Sequence, residues 1–267
     1  MTPSTGNMQP LLTIMQRLRD PKSGCDWDKA QTFQSIVPFT LEEAYEVADT
    51  IERLALDELP DELGDLLFQV VFYCQLAKEQ GMFDFDTVVE RICTKLTRRH
   101  PHVFTELKNS STATIKQNWE NIKAQERISR EQHSVLDDIP LSLPALSRSM
   151  KIQKRVARVG FDWDELPPVV AKINEEIDEV LFEVSQQKID QDKVTDEMGD
   201  LLFAVVNFAR HLGVEPEQAL RQANQKFERR FRGVEDCVQQ DGRTFDEHSL
   251  TELDGYWDRV KRGEKNK

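Results

Sequence analysis

The 267-residue chain is poor in the residues that interrupt helices, with only 11 glycines and 11 prolines. Together these are about 8% of the chain, against about 12% in average proteins. Tyrosine occurs only three times, and no stretch alternates with period two for long enough to form a sheet. Leu, Glu, Gln and Arg are abundant and favour helices. The composition therefore predicts an all-α fold, and the length predicts two domains at roughly 150 residues each.

The chain also has little cysteine, with four residues and neither a Cys-x-x-Cys pair nor a zinc-type spacing: Cys25, Cys74, Cys93 and Cys237. Disulfides and structural zinc are therefore not expected. We predict reduced, mostly buried thiols in a cytoplasmic protein.

Long apolar runs are missing too, so no membrane span is expected. The N-terminal sequence MTPSTGNMQP has no signal-peptide core. Positive charge is in the minority, with 35 basic against 48 acidic residues and a net charge of −13. This argues against general nucleic-acid binding, which needs clustered Lys and Arg. A small phosphate-bearing ligand remains compatible if metal ions supply positive charge.

The sequence contains an internal repeat. Residues 61–71 (DELGDLLFQVV) and 196–206 (DEMGDLLFAVV) are identical at nine of eleven positions. Further matches follow in the same order: 26–28 with 162–164, 42–46 with 175–179, 95–99 with 226–230, and Trp119 with Trp257. A period near 135 residues is too long for a solenoid, so it indicates a tandem duplication.

The two copies are predicted to span residues 1–132 and 147–267. The stretch 133–146 between them carries two prolines and breaks helical periodicity, so it is the predicted linker, and 108–116 is a predicted loop within the first copy. In the second copy we predict four helices, over residues 145–159, 168–187, 192–212 and 216–240. A last short helix is predicted at Trp257. Each copy would be a bundle of four or five helices.

The helix over 168–187 combines an apolar stripe with acids along its flank. The apolar stripe, which we expect to be buried, consists of Ile173, Ile177, Val180, Leu181 and Val184. Glu176 and Glu179 lie at its border. In the next helix, Glu197 and Asp200 precede six apolar residues, 201–206. We expect that helix to be buried nearly all round. Gly64 and Gly199, found inside the equivalent helices, indicate close backbone approach.

Pairs of carboxylates at spacing i, i+3 on two adjacent helices occur in both copies. The second copy offers Glu176, Glu179, Glu197 and Asp200, and the first offers Glu43, Glu46, Glu62 and Asp65. Four converging negative charges would repel unless cations lie between them. Oxygen ligands without His or Cys suit Mg²⁺ or Mn²⁺, and a di-iron bundle would need Glu-x-x-His. The alternative is that these acids are solvated and only complement helix dipoles.

A basic face in each copy follows the acidic helices. It consists of Lys226, Arg229 and Arg230 in the second copy, matched by 95–99 in the first. With metal ions, such a face suits a polyphosphate, although basic helix faces are usually only solvated. Trp257 could stack on a base, but packing is the more common role. His100 and His102 have no further ligand nearby and are interpreted as structural.

These residues together resemble the MazG nucleoside triphosphate pyrophosphohydrolases, whose pattern is EExxE, a spacer and ExxD. Residues 42–46 with 62–65, and 175–179 with 197–200, fit that pattern, and KFERRF at 226–231 strengthens it. The resemblance covers roughly 8–262 in the two-copy form of the family. It implies an all-α homodimer that hydrolyses nucleoside triphosphates, ATP and deoxy forms included, to monophosphate and pyrophosphate with Mg²⁺.

The resemblance also assigns roles to residues of the second copy. Four acids would hold Mg²⁺, with Mn²⁺ as a substitute: Glu176, Glu179, Glu197 and Asp200. Glu175 would orient or deprotonate the attacking water. The expected nucleotide contacts are Glu175, Asn224, Lys226, Arg229, Arg230 and Trp257. Asn224 is matched by Cys93 in the first copy, and the second copy is expected to be the main catalyst, with the first left open.

Two alternative hypotheses compete with the interpretation of the protein as a pyrophosphohydrolase of broad base specificity. One is a helical scaffold or nucleotide-binding protein in which the acids hold an ion without turnover. The other is dimerisation through the amphipathic helices alone, which explains the apolar stripes but not the repeated acids.

Overall fold

Helices are the only regular secondary structure in the computed structural model, which describes residues 7–104, 122, 126 and 134–265. The described chain forms two compact units, Met1–Gln125 and Glu126–Lys267. The predicted all-α fold is confirmed. The predicted loop 108–116 and Trp119 lie outside the described residues, as does the first residue of the proposed linker 133–146.

The described residues of the first unit form six helices, two of them short. They are α1 (Gln9–Leu18), α2 (Asp26–Ala30), α3 (Phe33–Glu52), α4 (Leu59–Glu79), α5 (Phe85–Arg99) and α6 (Pro101–Phe104). A capping box starts α3, because Thr32 Oγ1 accepts a hydrogen bond from the Ser35 backbone and Ser35 Oγ accepts one from the Thr32 backbone. α3 packs on α4, and α4 also contacts α1 and α5.

The core of the first unit lies where α1, α3 and α4 meet. Its buried side chains are Met15, Ile36, Val71, Phe72 and Leu76. Val71, Phe72 and Leu76 recur at helical spacing along α4, and this buried stripe is covered by the two neighbouring helices, which contribute Met15 and Ile36. The α3–α4 pair is thereby held in place, and this pair carries the first set of acids.

Within the described part of the second unit lie five α-helices and a short 3₁₀ helix, Phe245–Glu247. The α-helices are α7 (Ala145–Ala157), α8 (Leu166–Val184), α9 (Gln191–His211), α10 (Pro216–Asp241) and α11 (Leu250–Lys265). They match the predicted helices to within a few residues. Prolines occupy the first turns of α8 and α10, where the missing N–H costs nothing. α8 packs along α9, which also contacts α7.

The apolar stripes predicted to be buried are partly exposed in the described chain. On α8, Ile177, Leu181 and Val184 expose 39%, 56% and 40% of their surface. On α9, Leu202, Phe203 and Val205 are also exposed, so the expectation of a helix buried nearly all round was wrong. Periodicity identified an apolar face but not what covers it, since one neighbouring helix hides only part of such a face.

The glycines inside the acidic helices do not mark close packing. Apart from their chain neighbours and the backbone of their own helices, no described atom lies within 4 Å of a β-carbon built on Gly64 or Gly199, so that expectation was wrong. Close approach occurs instead at Gly233 on α10, where an added β-carbon would lie 2.9 Å from both methyl groups of Val260 on α11. Gly233 therefore permits the α10–α11 contact.

The four cysteines are free in the structure, but, contrary to the prediction from the sequence, they are not mostly buried. Cys74 is buried and Cys237 is partly buried, whereas Cys25 and Cys93 are exposed. The sequence could not show this, because each cysteine is a single small residue without a periodic pattern. Among the described helices, none is long and apolar enough to cross a membrane.

The core packing of the first unit generates a stability prediction. Phe72 is 1% exposed, so Phe72→Ala should lower the free energy of unfolding by about 3–5 kcal/mol through lost burial and a cavity. Met82→Ala, at a residue that is 62% exposed, should change it by less than about 0.5 kcal/mol. Urea unfolding followed by circular dichroism measures both variants, and equal losses would contradict the assignment of Phe72 to the core.

Candidate metal and nucleotide site

The packed pair α8–α9 brings together three of the four acids predicted in the second copy. Carboxylate oxygens of Glu176, Glu179 and Glu197 all lie within 4.8 Å of one another. Glu176 is 4% exposed, Glu197 is partly buried and Glu179 is exposed. The i, i+3 spacing on α8 puts the first two acids on one face, and the contact with α9 adds the third.

Asp200, the fourth predicted acid, lies one turn further along α9 and is not part of this group of three. It is exposed, and it lines a cavity of about 540 Å³ whose wall also includes Glu176 and Lys172. Glu175, Glu179 and Glu197 line a second, more open depression. Glu176 therefore connects the acid cluster to the cavity.

Lys172 is the cation nearest to the acids. Its Nζ lies 2.7 Å from Glu176 Oε1 and 2.8 Å from Glu175 Oε1. Hydrogen bonds and charge attraction from these two glutamates raise the pKa of Lys172 above its usual value. The ammonium group thus stays charged and neutralises part of the cluster. Sequence analysis missed Lys172, although its i, i+4 spacing to Glu176 was a detectable signal.

The environment of the acid cluster raises the pKa of Glu179 above its usual value. That pKa is raised by hydrogen bonding to the Glu176 carboxyl, by loss of hydration and by the charges of Glu176 and Glu197. A carboxyl held among like charges favours a proton or a cation. The cluster therefore carries more negative charge than Lys172 alone balances.

The residues present fit a bound divalent cation. Glu176 Oε2 is buried and has no hydrogen-bond partner among the described residues, which is costly for a carboxylate oxygen unless something binds it. The donors are all carboxylate oxygens, the ligand type preferred by Mg²⁺ and Mn²⁺. Glu176, Glu179 and Glu197 are the residues that would hold the ion, with Asp200 beside them.

The first copy forms a related cluster on α3 and α4, with a different three of its four predicted acids. Carboxylate oxygens of Glu43, Glu62 and Asp65 lie within 4.8 Å of one another. Burial, followed by the charges of Asp65 and Glu46, raises the pKa of Glu43. Loss of hydration and the charges of Glu46 and Asp65 do the same for Glu62. Glu46 thus lies in the same electrostatic group.

The predicted basic face forms a separate cluster on α10 and α11. Arg229 and Arg230 each donate to the Glu264 carboxylate, at 2.9 and 2.8 Å. Trp257 packs against Phe227 with ring centroids 5.2 Å apart, and the Arg230 guanidinium lies 5.8 Å from its ring. Packing is thus the observed role of this tryptophan. Lys226 and Asn224 are exposed. Within the described residues, no ion pair joins these groups to the acids of α8 and α9.

Comparison with known proteins shows that the acidic helices of both copies lie within segments that match one protein family. Residues 31–104 and 168–234 each match the MazG nucleotide pyrophosphohydrolase domain. The nucleoside triphosphate pyrophosphohydrolase of Escherichia coli K12 is 58% identical over 254 residues, which are 95% of this chain and 97% of that protein. The chain belongs to the MazG family.

Other relatives cover the chain to the same extent. The Thermotoga maritima protein named nucleoside triphosphate pyrophosphohydrolase/pyrophosphatase MazG is 41% identical over 256 residues, 96% of each chain. Bacillus subtilis YabN is 40% identical over 95% of this chain but only 51% of its own length. The two MazG matches confirm the predicted duplication and the predicted class of enzyme.

The Lys172–Glu176 pair generates a prediction about ion binding. Lys172→Met leaves the buried Glu176 without its cation, so without metal the variant should lose about 1–2 kcal/mol of stability. Saturating Mn²⁺ should restore most of this loss, because a bound ion replaces the ammonium charge. Urea unfolding with EDTA and with Mn²⁺ measures the difference, with the exposed Lys188→Met as control. An equal loss in both conditions would contradict cation binding at Glu176.

Proposed function

We propose that the second copy is the catalytic centre of this MazG-family nucleoside triphosphate pyrophosphohydrolase, which converts nucleoside triphosphates to monophosphate and pyrophosphate. The observation that carries this proposal is the buried, unpartnered Oε2 of Glu176 inside the carboxylate cluster. An acidic site of this kind binds a triphosphate only through cations, since bare carboxylates repel phosphate.

Mg²⁺ is the proposed ion, with Mn²⁺ as a substitute, and Glu176, Glu179, Glu197 and Asp200 are its proposed ligands. When bound, the ion would neutralise phosphate charge and lower the pKa of a bound water. Water attacks the α-phosphorus, the bond to the bridging oxygen breaks, and pyrophosphate leaves. Glu175, which is half exposed and held by Lys172 at 2.8 Å, is the proposed group that orients this water and takes its proton.

Phosphate contacts are proposed for Lys172 and, as the sequence pattern suggested, for Lys226, Arg229 and Arg230, with Asn224 and Trp257 near the nucleotide. Lys172 already touches the acid cluster. The arginines are held by Glu264, so they would have to exchange that partner for phosphate. Base specificity is proposed to be broad. A cytoplasmic location is also proposed, supported by the four free cysteines.

A homodimer is proposed from the exposed apolar faces. Leu181, Phe182 and Leu202 expose 56%, 63% and 52% of their surface on the two helices that carry the acids. Large apolar side chains grouped on adjacent helices are typical of association surfaces. A second copy of the same face would cover them and stiffen the acidic helix pair.

The catalytic assignment predicts that single acids are indispensable. Glu179→Gln or Asp200→Asn should each lower turnover of ATP with Mg²⁺ at least about 100-fold, because the cation loses a charged ligand. The equivalent changes in the first copy, Glu46→Gln and Asp65→Asn, should retain most of the activity. Chromatography of the products with a pyrophosphate assay measures both sets.

The product pattern separates the competing functions. Monophosphate with pyrophosphate supports the proposal, whereas diphosphate with phosphate would mean attack at another phosphorus. Nucleotide binding without any product would favour the scaffold alternative. Wild-type turnover in the Glu179→Gln variant would refute the site assignment.

The dimer proposal predicts that a charge on the exposed face separates the copies. Leu181→Asp should shift the sedimentation coefficient from that of a dimer toward that of a monomer, because a carboxylate buried in an apolar interface is costly. Leu141→Asp, at an 84% exposed residue outside the helices, is the control. A wild-type protein that sediments as a monomer would refute the proposal directly.

A further inference from the structure

Arg229 and Arg230, the two arginines proposed to contact phosphate, already hold an anion that the chain itself supplies. The Arg229 Nε atom donates to Glu264 Oε1 at 2.9 Å, and the Arg230 Nε atom donates to Glu264 Oε2 at 2.8 Å. One carboxylate therefore bridges two guanidinium groups, with one oxygen for each. The hydrogen bonds from Arg230 and Arg229 lower the pKa of Glu264, so this carboxyl is ionised at neutral pH.

A phosphate group offers these arginines the same kind of partner as the Glu264 carboxylate. Both are anions whose oxygens accept charge-assisted hydrogen bonds from neighbouring guanidinium groups. Because the two Nε–H groups converge on one position, they bind one anion there at a time. Glu264 thus occupies the position that the proposed function gives to a phosphate, and its negative charge repels any phosphate that approaches the arginines.

Both arginines depend on α11 for their contacts. Among the described residues, Glu264 is the acidic partner that each of them has. The Arg230 guanidinium also lies 5.8 Å from the centre of the Trp257 ring, and its side chain is only 18% exposed. Trp257 and Glu264 are seven residues apart, so they share the face of α11 that meets α10. The position of this helix therefore decides whether the arginines are paired or available.

The turn of α11 that carries Glu264 is weakly held. Lys261, Arg262 and Gly263 are exposed, and Glu264 is the partly buried residue that follows them. Gly263 lowers the helix propensity of this turn. A β-carbon built on Gly263 would meet no described atom within 4 Å, apart from its chain neighbours and the backbone of its own helix. Opening of this turn therefore breaks two ion pairs without exposing an apolar core.

A close contact between the two helices precedes the weakly held turn. The methyl groups of Val260 on α11 lie against Gly233 on α10, where an added β-carbon would be 2.9 Å from each of them. Arg229 lies four residues before Gly233, and Glu264 lies four residues after Val260. The ion pairs are thus one helical turn beyond this contact. The body of α11 can stay docked on α10 while its last turn opens.

We propose that Glu264 is an autoinhibitory latch: its carboxylate holds Arg229 and Arg230 in the free protein, and a phosphate chain takes its place when the last turn of α11 opens. The proposal rests on the function proposed above and adds a means of regulating the same site. The open fraction of molecules sets the apparent affinity for phosphate. A latch that is open in about one molecule in ten weakens binding about 10-fold.

Removing the charge of Glu264 tests the latch without any turnover. Inorganic tripolyphosphate is titrated into the full chain by calorimetry in EDTA, so that no cation at the acid clusters contributes. The Glu264→Gln variant should bind tripolyphosphate about 10-fold more tightly than the wild type, because its arginines are always available. Asp258→Asn removes the same charge from an exposed residue of the same helix. This control should stay within about twofold of the wild type, since solvent and salt screen an exposed charge.

A double variant and steady-state kinetics locate the gain at the arginines. Adding Arg230→Met to Glu264→Gln should abolish the tighter binding of tripolyphosphate, because one of the two donors is lost. With Mg²⁺, Glu264→Gln should lower KM for ATP about 10-fold and change kcat less than about twofold, as expected when only binding is affected. Unchanged or weaker tripolyphosphate binding in Glu264→Gln, or an equal gain in Asp258→Asn, would overturn the latch. Weaker binding would make Glu264 a residue that positions the arginines.

Hydrogen exchange of the wild-type protein tests the opening itself, and it does so even if Glu264→Gln fails to fold. Saturating tripolyphosphate should speed amide exchange in a peptide covering residues 261–265 and leave exchange in residues 250–257 unchanged. Unchanged or slower exchange in 261–265, or the absence of tripolyphosphate binding, would overturn the proposal. Failure of the proposed function is a different result, in which wild-type protein with Mg²⁺ releases no pyrophosphate from ATP.

Discussion

Repulsion between carboxylates held at fixed positions is the constraint on which the site depends. Packing of α8 on α9 brings Glu176, Glu179 and Glu197 within 4.8 Å of one another, although their charges oppose that arrangement. The hydrogen bond to the Glu176 carboxyl, loss of hydration and the charges of Glu176 and Glu197 together raise the pKa of Glu179. Lys172 offsets part of the cost. The rest must be offset by helix packing or by a cation. The helical frame therefore holds a carboxylate cluster whose charge favours a bound cation.

The parts of the structure that follow from short-range periodicity could be predicted from the sequence. The helices of the second copy begin and end within a few residues of the prediction, because prolines at the first turns of α8 and α10 and Gly213 after α9 are local signals. Three of the four predicted acids converge for the same reason: i, i+3 spacing fixes which residues share a helix face. The exposure of Leu181 and Leu202 could not be predicted, since it depends on which surfaces meet.

The other residues that line the cavity beside the acids lack any such pattern. Gln153, Asn207 and Asp162 come from three separate segments and are single polar residues in otherwise ordinary stretches. Only the fold shows that they face one cavity and that Arg210 links two of them. The basic residues are the opposite case, because their spacing did predict that they share one helix face, but not which residues they contact. The structure pairs two of them with Glu264, a residue far along the chain that no local pattern connects to them.

Duplication makes the chain a comparison within one molecule. Both copies contain the acids and the DLLF sequence around them, so the carboxylate cluster alone gives no ground for assigning catalysis to one copy and not to the other. The copies differ one helical turn or two further along, where a phenylalanine and a glutamine in α4 replace an asparagine and an alanine in α9. A larger apolar side chain stabilises the core that it fills, and the same volume is then closed to a ligand. Phe72 therefore contributes to the core of the first unit at a position where the second unit has the polar, partly buried Asn207.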